Sequence, residues 1–205
     1  MLSMLQHGGV AMYILGLCSV AMVAVIIERA LRLREASTDT IIFLAKLARL
    51  VQEGRTAEAQ TMCDRSQAAI ASVAGAGLAR EGRSKDEVRD TLASAVALQQ
   101  HRLSRNLGVL GTIASTAPFI GLFGTVLGIM STFQTISMAT GGAMPDISRG
   151  ISEALVATAG GLAVAIIGVG TYNYFQTWVQ RFDVDFEVVA TEVLHLMTGE
   201  KELAR

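Results

Sequence analysis

An ion crosses an apolar medium only where side chains can receive it, so the search for chemistry begins with acids, imidazoles and hydroxyls. Between Asn106 and Pro145, and again between Ala154 and Gln180, the chain has no Asp, Glu, Lys, Arg or His. Hydroxyls are what it offers there. Thr125 lies seventeen residues before Gly142 and Thr158 seventeen after Gly141. If the two arms around Gly141-Gly142 are antiparallel helices, both hydroxyls reach the same depth and form a polar layer. The plainer account is that each Thr bonds only a carbonyl of its own helix, as Thr commonly does. Glu153, about a turn outside Thr158, has two readings as well: a partner for the positive N-terminal end of its helix, or a station at an ion entrance. A proton carrier normally relies on a titrating group in the membrane. If this chain conducts ions, a second protein must bring that group.

The elements that position these residues follow from the charge map. Met1–Ile27, Asn106–Pro145 and Ala154–Gln180 total 94 residues with no charged side chain, and all 35 charges fall in the other 111. A single-domain water-soluble enzyme would need charges on nearly every helix, so that class is excluded and an all-α integral membrane protein with three spans is expected. The expected segments are an external N-terminus (1–9), a first span (10–27), a cytoplasmic helical region (28–105), a second span (106–136), an external loop (137–150), a third span (151–180) and a cytoplasmic helical tail (181–205). Residues 28–105 carry 13 Lys and Arg and 181–205 carry three, leaving only Arg149 outside. The positive-inside rule then puts the N-terminus out and the C-terminus in. No Lys or Arg precedes the first apolar run, and Glu28, Arg29, Arg32 and Arg34 follow it, which is expected of an uncleaved helix and not of a signal peptide.

The charged middle region has no Pro and reads as helices broken near Gly54 and around Gly75–Gly82. Ser84-Lys85-Asp86-Glu87 fits a capping box that starts a helix. From Ser84 the period near 3.6 continues through Leu92, Val96, Leu103 and Leu110, which predicts one unbroken helix of roughly 50 residues running into the second span, about 75–80 Å long. Val184–Met197 is amphipathic, so the third span is also expected to continue beyond the membrane. Cys18 and Cys63 fall in different compartments and are read as packing. His7, His101 and His195 are isolated. With no nucleophile–base pair, ligand cluster or phosphate loop, no enzyme activity, cofactor, metal or nucleic acid is expected.

Lipid is as apolar as Leu, so rows of small residues mark helix faces that meet protein. One row is Gly121, Thr125, Gly128, Thr132 and Thr135; the other is Ala154, Thr158, Gly161, Ala165 and Gly168. Both rows could simply be contacts within one three-helix chain, since its helices must touch somewhere. Two rows with polar groups favour oligomerisation around a shared axis.

Three stretches then resemble a known family, the MotA/TolQ/ExbB channel subunits, with ExbB-like and TolQ-like members nearest. They are Gly8–Tyr13 with Cys18-Ser19 and Ile26-Ile27-Glu28-Arg29; Ala117-Pro118-Phe119-Ile120-Gly121-Leu122-Phe123-Gly124-Thr125-Val126-Leu127-Gly128; and Ile151-Ser152-Glu153-Ala154-Leu155-Val156-Ala157-Thr158-Ala159-Gly160-Gly161. The resemblance implies a homopentamer in the bacterial inner membrane whose second and third helices line a pore. Inside it would sit two helices of a single-span ExbD/TolR-like partner bearing a membrane Asp, with a TonB-like or TolA-like protein spanning the periplasm beyond. Thr125 and Thr158 match the pore threonines of the family, Glu153 its acid at the pore mouth and Pro118 its proline. Gly121, Gly128, Thr132, Ala154, Gly161 and Ala165 are then expected to pack against partner helices in the pore. The implied task is coupling of the proton motive force to mechanical work or energised transport at the cell envelope. A non-conducting scaffold and a MotA-like motility stator are the alternatives. Ile14 stands where relatives often carry Pro, the short cytoplasmic region argues against a stator, and Ala159 after Thr158 leans toward protons over sodium.

Overall fold

The computed structural model describes residues 9–138 and 144–198, with side chains described for 10–134 and 148–198. The Gly141-Gly142 turn, the Thr135 side chain and His7 lie outside those residues. Seven helices are present among the described residues and no strand: α1 (Gly9–Ala36), α2 (Thr40–Gln52), α3 (Thr56–Arg65), α4 (Ala69–Leu78), α5 (Lys85–Ser104), α6 (Leu107–Met138) and α7 (Met144–Thr198). α1, α6 and α7 are long and apolar enough to cross a membrane. The chain divides into two compact units at Glu28/Arg29, Arg105/Asn106 and Phe175/Gln176.

The charged unit holds α2–α5 with the end of α1 and the second part of α7. Short polar side chains set its helix starts. Asp39 accepts from the Ile42 N–H at 3.0 Å to begin α2, and Ser84 Oγ accepts from the Glu87 N–H at 3.3 Å to begin α5. Each removes one of the donors that a helix N-terminus leaves unpaired. Gly54, at φ 73°, turns the chain between α2 and α3. Around that turn Arg49, Glu53, Arg55 and Glu58 form a surface ion network, which holds the Glu53 carboxyl below its ordinary value through Arg49 and then Arg55. α4 is the central element of this unit, with eight of its ten residues buried. A methyl on its Gly77 would stand 2.6 Å from Val193 Cγ1 and 2.8 Å from Leu92 Cδ2, so α4 lies flat against α5 and α7. Leu47, Ile70, Val73, Val88, Phe186, Val189 and Val193 complete the core.

One expectation fails in this region. No continuous helix runs from Ser84 into the second span: α5 stops at Ser104 and α6 starts at Leu107. Arg105 is extended at ψ 141°, and Asn106 takes φ 64°, the only positive φ outside glycine among the described residues. Asn tolerates this left-handed geometry better than most residues. Both sides of the break are secured. In the charged unit, Arg29, a residue only 3% exposed, donates from its guanidinium to the carbonyls of Arg102 and Leu103 at 3.4 and 3.3 Å, groups a helix end leaves unpaired. In the apolar unit, Asn106 Nδ2 donates to Glu28 Oε2 at 3.1 Å. Apolar periodicity carries across two residues without registering such a break.

The apolar unit packs α1, α6 and the first part of α7. Its outer surface is a field of exposed Val, Leu, Ile and Phe, among them Leu17, Val20, Phe119, Phe133 and Ile166. Water would penalise that surface and lipid accepts it. Hydroxyls inside the apolar unit are tied to backbone: Thr112, Ser115, Thr116, Thr132 and Thr171 each donate to a carbonyl of their own helix.

Candidate functional site

Since lipid gives no drive to bury Leu against Leu, helices in this setting hold together by close backbone approach at small residues. α6 and α7 meet along such a seam. A methyl on Gly161 would lie 2.5 Å from the Ala117 carbonyl oxygen and 3.0 Å from Gly121 Cα. One on Gly121 would lie 2.9 Å from the Ala157 carbonyl oxygen and 3.0 Å from Thr158 Cα. Further along, Gly128 and Gly124 meet the methyls of Ala154 and Ala157, and Gly168 meets Ala114. Thr132 lies against Gly150. Only glycine allows backbone to pack on backbone at Gly121 and Gly161.

These contacts redirect an expectation. Gly121, Gly128, Ala154 and Gly161, expected to pack against a partner's helices, are used by α6 and α7 of this chain on each other. Ala165 is likewise internal, buried with Leu15 and Ala117 and flanked by Met12, Ile120 and Val164. Thr132 donates to the Gly128 carbonyl at 2.8 Å and fills the space beside Gly150. The physical reason is economy of contact: the nearest glycine row to a glycine row is the other arm of the same hairpin.

The seam also fixes a register. Gly111 faces Tyr172, Ala114 faces Gly168, Gly121 faces Gly161, Gly124 faces Ala157 and Gly128 faces Ala154. In that register Thr125 and Thr158 stand at one level. They also share an edge. α1 covers the other edge, where Ala11 meets Gly124, and Met12 and Leu15 meet Gly160. Thr125 and Thr158 each follow a residue on or next to that covered edge, Gly124 and Ala157, and one residue is a 100° turn. Both therefore point away from α1, beside the exposed Leu122, Ile129, Leu155 and Leu162. Thr125 is buried and donates to the Leu122 carbonyl at 2.6 Å. Thr158 is half-buried and donates across the seam to the Gly121 carbonyl at 3.0 Å. So Thr125 follows the plainer account and bonds its own helix, whereas Thr158 ties two helices at their closest point.

Glu153 is not with them. Five residues before Thr158 is 140° around a helix, which turns Glu153 to the α1 edge. It lines a cavity of about 320 Å³ with Val10, Ala11, Ser131 and Thr132, and its carboxylate pairs with Arg149 at 3.1 Å. Ser131 in that wall was not singled out from sequence. The i+5 spacing could have separated Glu153 from Thr158, but that Val10 and Ala11 of α1 wall the cavity with it is a long-range contact no local signal states.

An all-helical chain with three helices fit to cross a membrane, two joined by a glycine seam with one level of threonines on an open edge, defines a class of membrane subunit built for packing. Comparison makes it specific. Residues 44–188 match the model of the MotA/TolQ/ExbB proton channel family, and the chain belongs to that family. It is similar to the biopolymer transport protein ExbB of Pseudomonas putida, 40% identical over 116 residues, which is 57% of this chain and 35% of that protein. It is similar to the Tol-Pal system protein TolQ of Pseudomonas aeruginosa, 42% identical over 81 residues, 40% of this chain and 35% of that one. A putative ExbB-like biopolymer transport protein of Synechocystis is 35% identical over 183 residues, 85% of this chain and 83% of its own length. The match thus spans about a third of the two Pseudomonas proteins and most of the cyanobacterial one.

Proposed function

We propose that this chain is an ion-channel subunit of an ExbB-like or TolQ-like motor in the bacterial inner membrane, and not an enzyme. It works as a homo-oligomer, a pentamer by resemblance, with its N-terminus in the periplasm and C-terminus in the cytoplasm. A single-span ExbD/TolR-like partner supplies the titrating Asp, protons are the moving ion, and a TonB-like or TolA-like protein carries the work outward. Each unit charge falling through 100 mV supplies about 2.3 kcal/mol, so several must cross per mechanical step.

The observation that carries this reading is the pair Thr125 and Thr158, at one level and on the edge that α1 leaves open, in stretches (106–145 and 154–180) without a charged side chain. Family membership supports it, and so does the concentration of Lys and Arg on one side. Glu153, on the opposite edge, serves the outer end of α7 rather than the threonine layer.

The test is gradient-driven activity in cells that carry Thr125→Val or Thr158→Val, with assembly checked in membranes. Both variants are expected to assemble and to lose at least about tenfold in activity, the scale of one lost hydrogen bond at a reacting ion. Full activity in both would leave a non-conducting scaffold as the better description.

A further inference from the structure

The cavity of about 320 Å³ on the α1 edge is amphiphilic. Val10, Ala11 and Leu127 make an apolar wall, and Ser131, Thr132 and Glu153 a polar one. Val10 and Leu127 are also open to the surroundings, 70% and 42% exposed. Thr132 spends its one proton on the Gly128 carbonyl, so its oxygen is left as an acceptor. Glu153, as a carboxylate, is acceptor-only too. Its single bond to Arg149, at 3.1 Å, does not saturate a group with about four acceptor sites. The Arg149 side chain itself is 69% exposed.

Helix rise sets the depth of this cavity. Glu153 and Tyr174 lie 21 residues apart on α7, about 31 Å, within the same apolar unit. A bilayer's hydrocarbon core is about 30 Å thick. The interval between them holds no charged residue, and Tyr172 with the 62%-exposed Tyr174 closes it in the way aromatic residues mark a membrane interface. Arg149, Glu153 and the cavity therefore stand at the headgroup level of the opposite, outer leaflet.

We propose that the cavity holds the headgroup of a phospholipid with a primary amine: the ammonium on Glu153, the phosphate on Arg149, and the acyl chains over Val10 and Leu127. A zwitterion laid against an ion pair in the opposite order satisfies both charges. The ammonium brings three donors to the Glu153 and Thr132 oxygens, and such charge-assisted bonds are the strong ones. An anionic headgroup without an amine would set its negative charge near Glu153 with nothing to offset it. A quaternary amine would bring the positive charge but no N–H to donate. The bound lipid would join Val10 and Ala11 of α1 to α6 and α7 on the edge away from the threonines. The proposal needs the membrane setting but neither ion flow nor a partner protein, so its failure and that of the threonine variants are separate results.

The test is native mass spectrometry of the full-length protein released from nanodiscs made of equal parts phosphatidylethanolamine, phosphatidylcholine and phosphatidylglycerol. Wild type is expected to retain phosphatidylethanolamine over each of the other two by at least about tenfold, the scale of a hydrogen bond to a charged group. Glu153→Gln should remove that preference. Val10→Trp crowds the cavity while leaving the Arg149–Glu153 pair alone, and should remove it as well; it also keeps the test alive should Glu153→Gln fail to fold. Equal retention of the three lipids by wild type, or an unchanged preference in Glu153→Gln, would overturn the proposal. An unchanged preference in Val10→Trp would overturn it too, by placing the lipid outside the cavity. Ready displacement of the lipid by free phosphoethanolamine would show that the site reads a soluble amine, which overturns the membrane source.

Discussion

Gly161→Ala is the sharpest probe of how this chain holds its apolar unit together. The new methyl would be placed 2.5 Å from the Ala117 carbonyl oxygen, 3.0 Å from Gly121 Cα and 3.1 Å from Gly121 N. All three are backbone atoms, so no side chain can rotate aside. Restoring the 3.4 Å at which ordinary contact begins requires α6 and α7 to part by about 0.9 Å at their closest point. Overpacking of this kind costs about 1–3 kcal/mol, and the Thr158–Gly121 tie that spans the same point would weaken, at about 0.6 kcal/mol for a membrane interhelical bond. The control is Gly170→Ala, also within α7, where an added methyl meets nothing within 4 Å. There alanine should be neutral or gain up to about 1 kcal/mol of helix propensity. The two variants should therefore differ by about 2–4 kcal/mol in denaturant titrations of the protein in mixed micelles. Spin labels on the outward faces of α6 and α7 should report the widening in Gly161→Ala alone. Equal unfolding midpoints for the two alanines would refute the claim that a glycine seam sets the packing.

Other consequences follow from the helix break and the charged unit. Asn106→Gly should be tolerated because glycine accepts φ 64°, whereas Asn106→Val should cost about 1–2 kcal/mol, read as lost hydrogen-exchange protection at the adjoining helix ends. Arg29→Met leaves the Arg102 and Leu103 carbonyls without their guanidinium donor and should destabilise the protein by about 1–3 kcal/mol; a midpoint within error of wild type would contradict that role. Burial, with a smaller push from Asp64, raises the Cys63 thiol from 9.0 to about 11. Its thiolate fraction at pH 8 should be about a hundredfold below that of a free thiol, with correspondingly slow alkylation. The native state then keeps a proton that the unfolded chain releases, so this contribution to stability is whole below pH 9 and lost as pH rises from 9 toward 11. Cys63→Ser should flatten that alkaline decline.

How much of this was legible in sequence depends on the range of the force involved. The three long apolar helices follow from 94 uncharged residues in three blocks, because desolvating a charge is too costly to be overridden locally. Asp39 and Ser84 mark helix starts through bonds three residues long, so Ser84 could be read directly. The equal depth of Thr125 and Thr158 could be counted from Gly141-Gly142, since two antiparallel helices rise by the same step. The family, too, was written in the strings around Thr125 and Thr158, and residues 44–188 match it.

The tertiary structure decided what those residues are for. A row of small side chains states that some backbone comes close but not whose, and only the packed chain gives Gly121 to Gly161 and Gly124 to Ala11 and Ala157. The end of α5 at Ser104 depends on Arg29, 73 residues away from the carbonyl it caps, which periodicity cannot sense. The i+5 spacing turns Glu153 away from Thr158, but that it faces a cavity walled by Val10 and Ala11 comes from α1 occupying one edge of the seam. The direction of two hydrogen bonds, which leaves Thr125 and Thr158 with lone pairs alone, needs the carbonyls of Leu122 and Gly121 in place. Composition and spacing are local sums over the chain. Which face meets which, and where each proton points, is settled only when the helices have found one another.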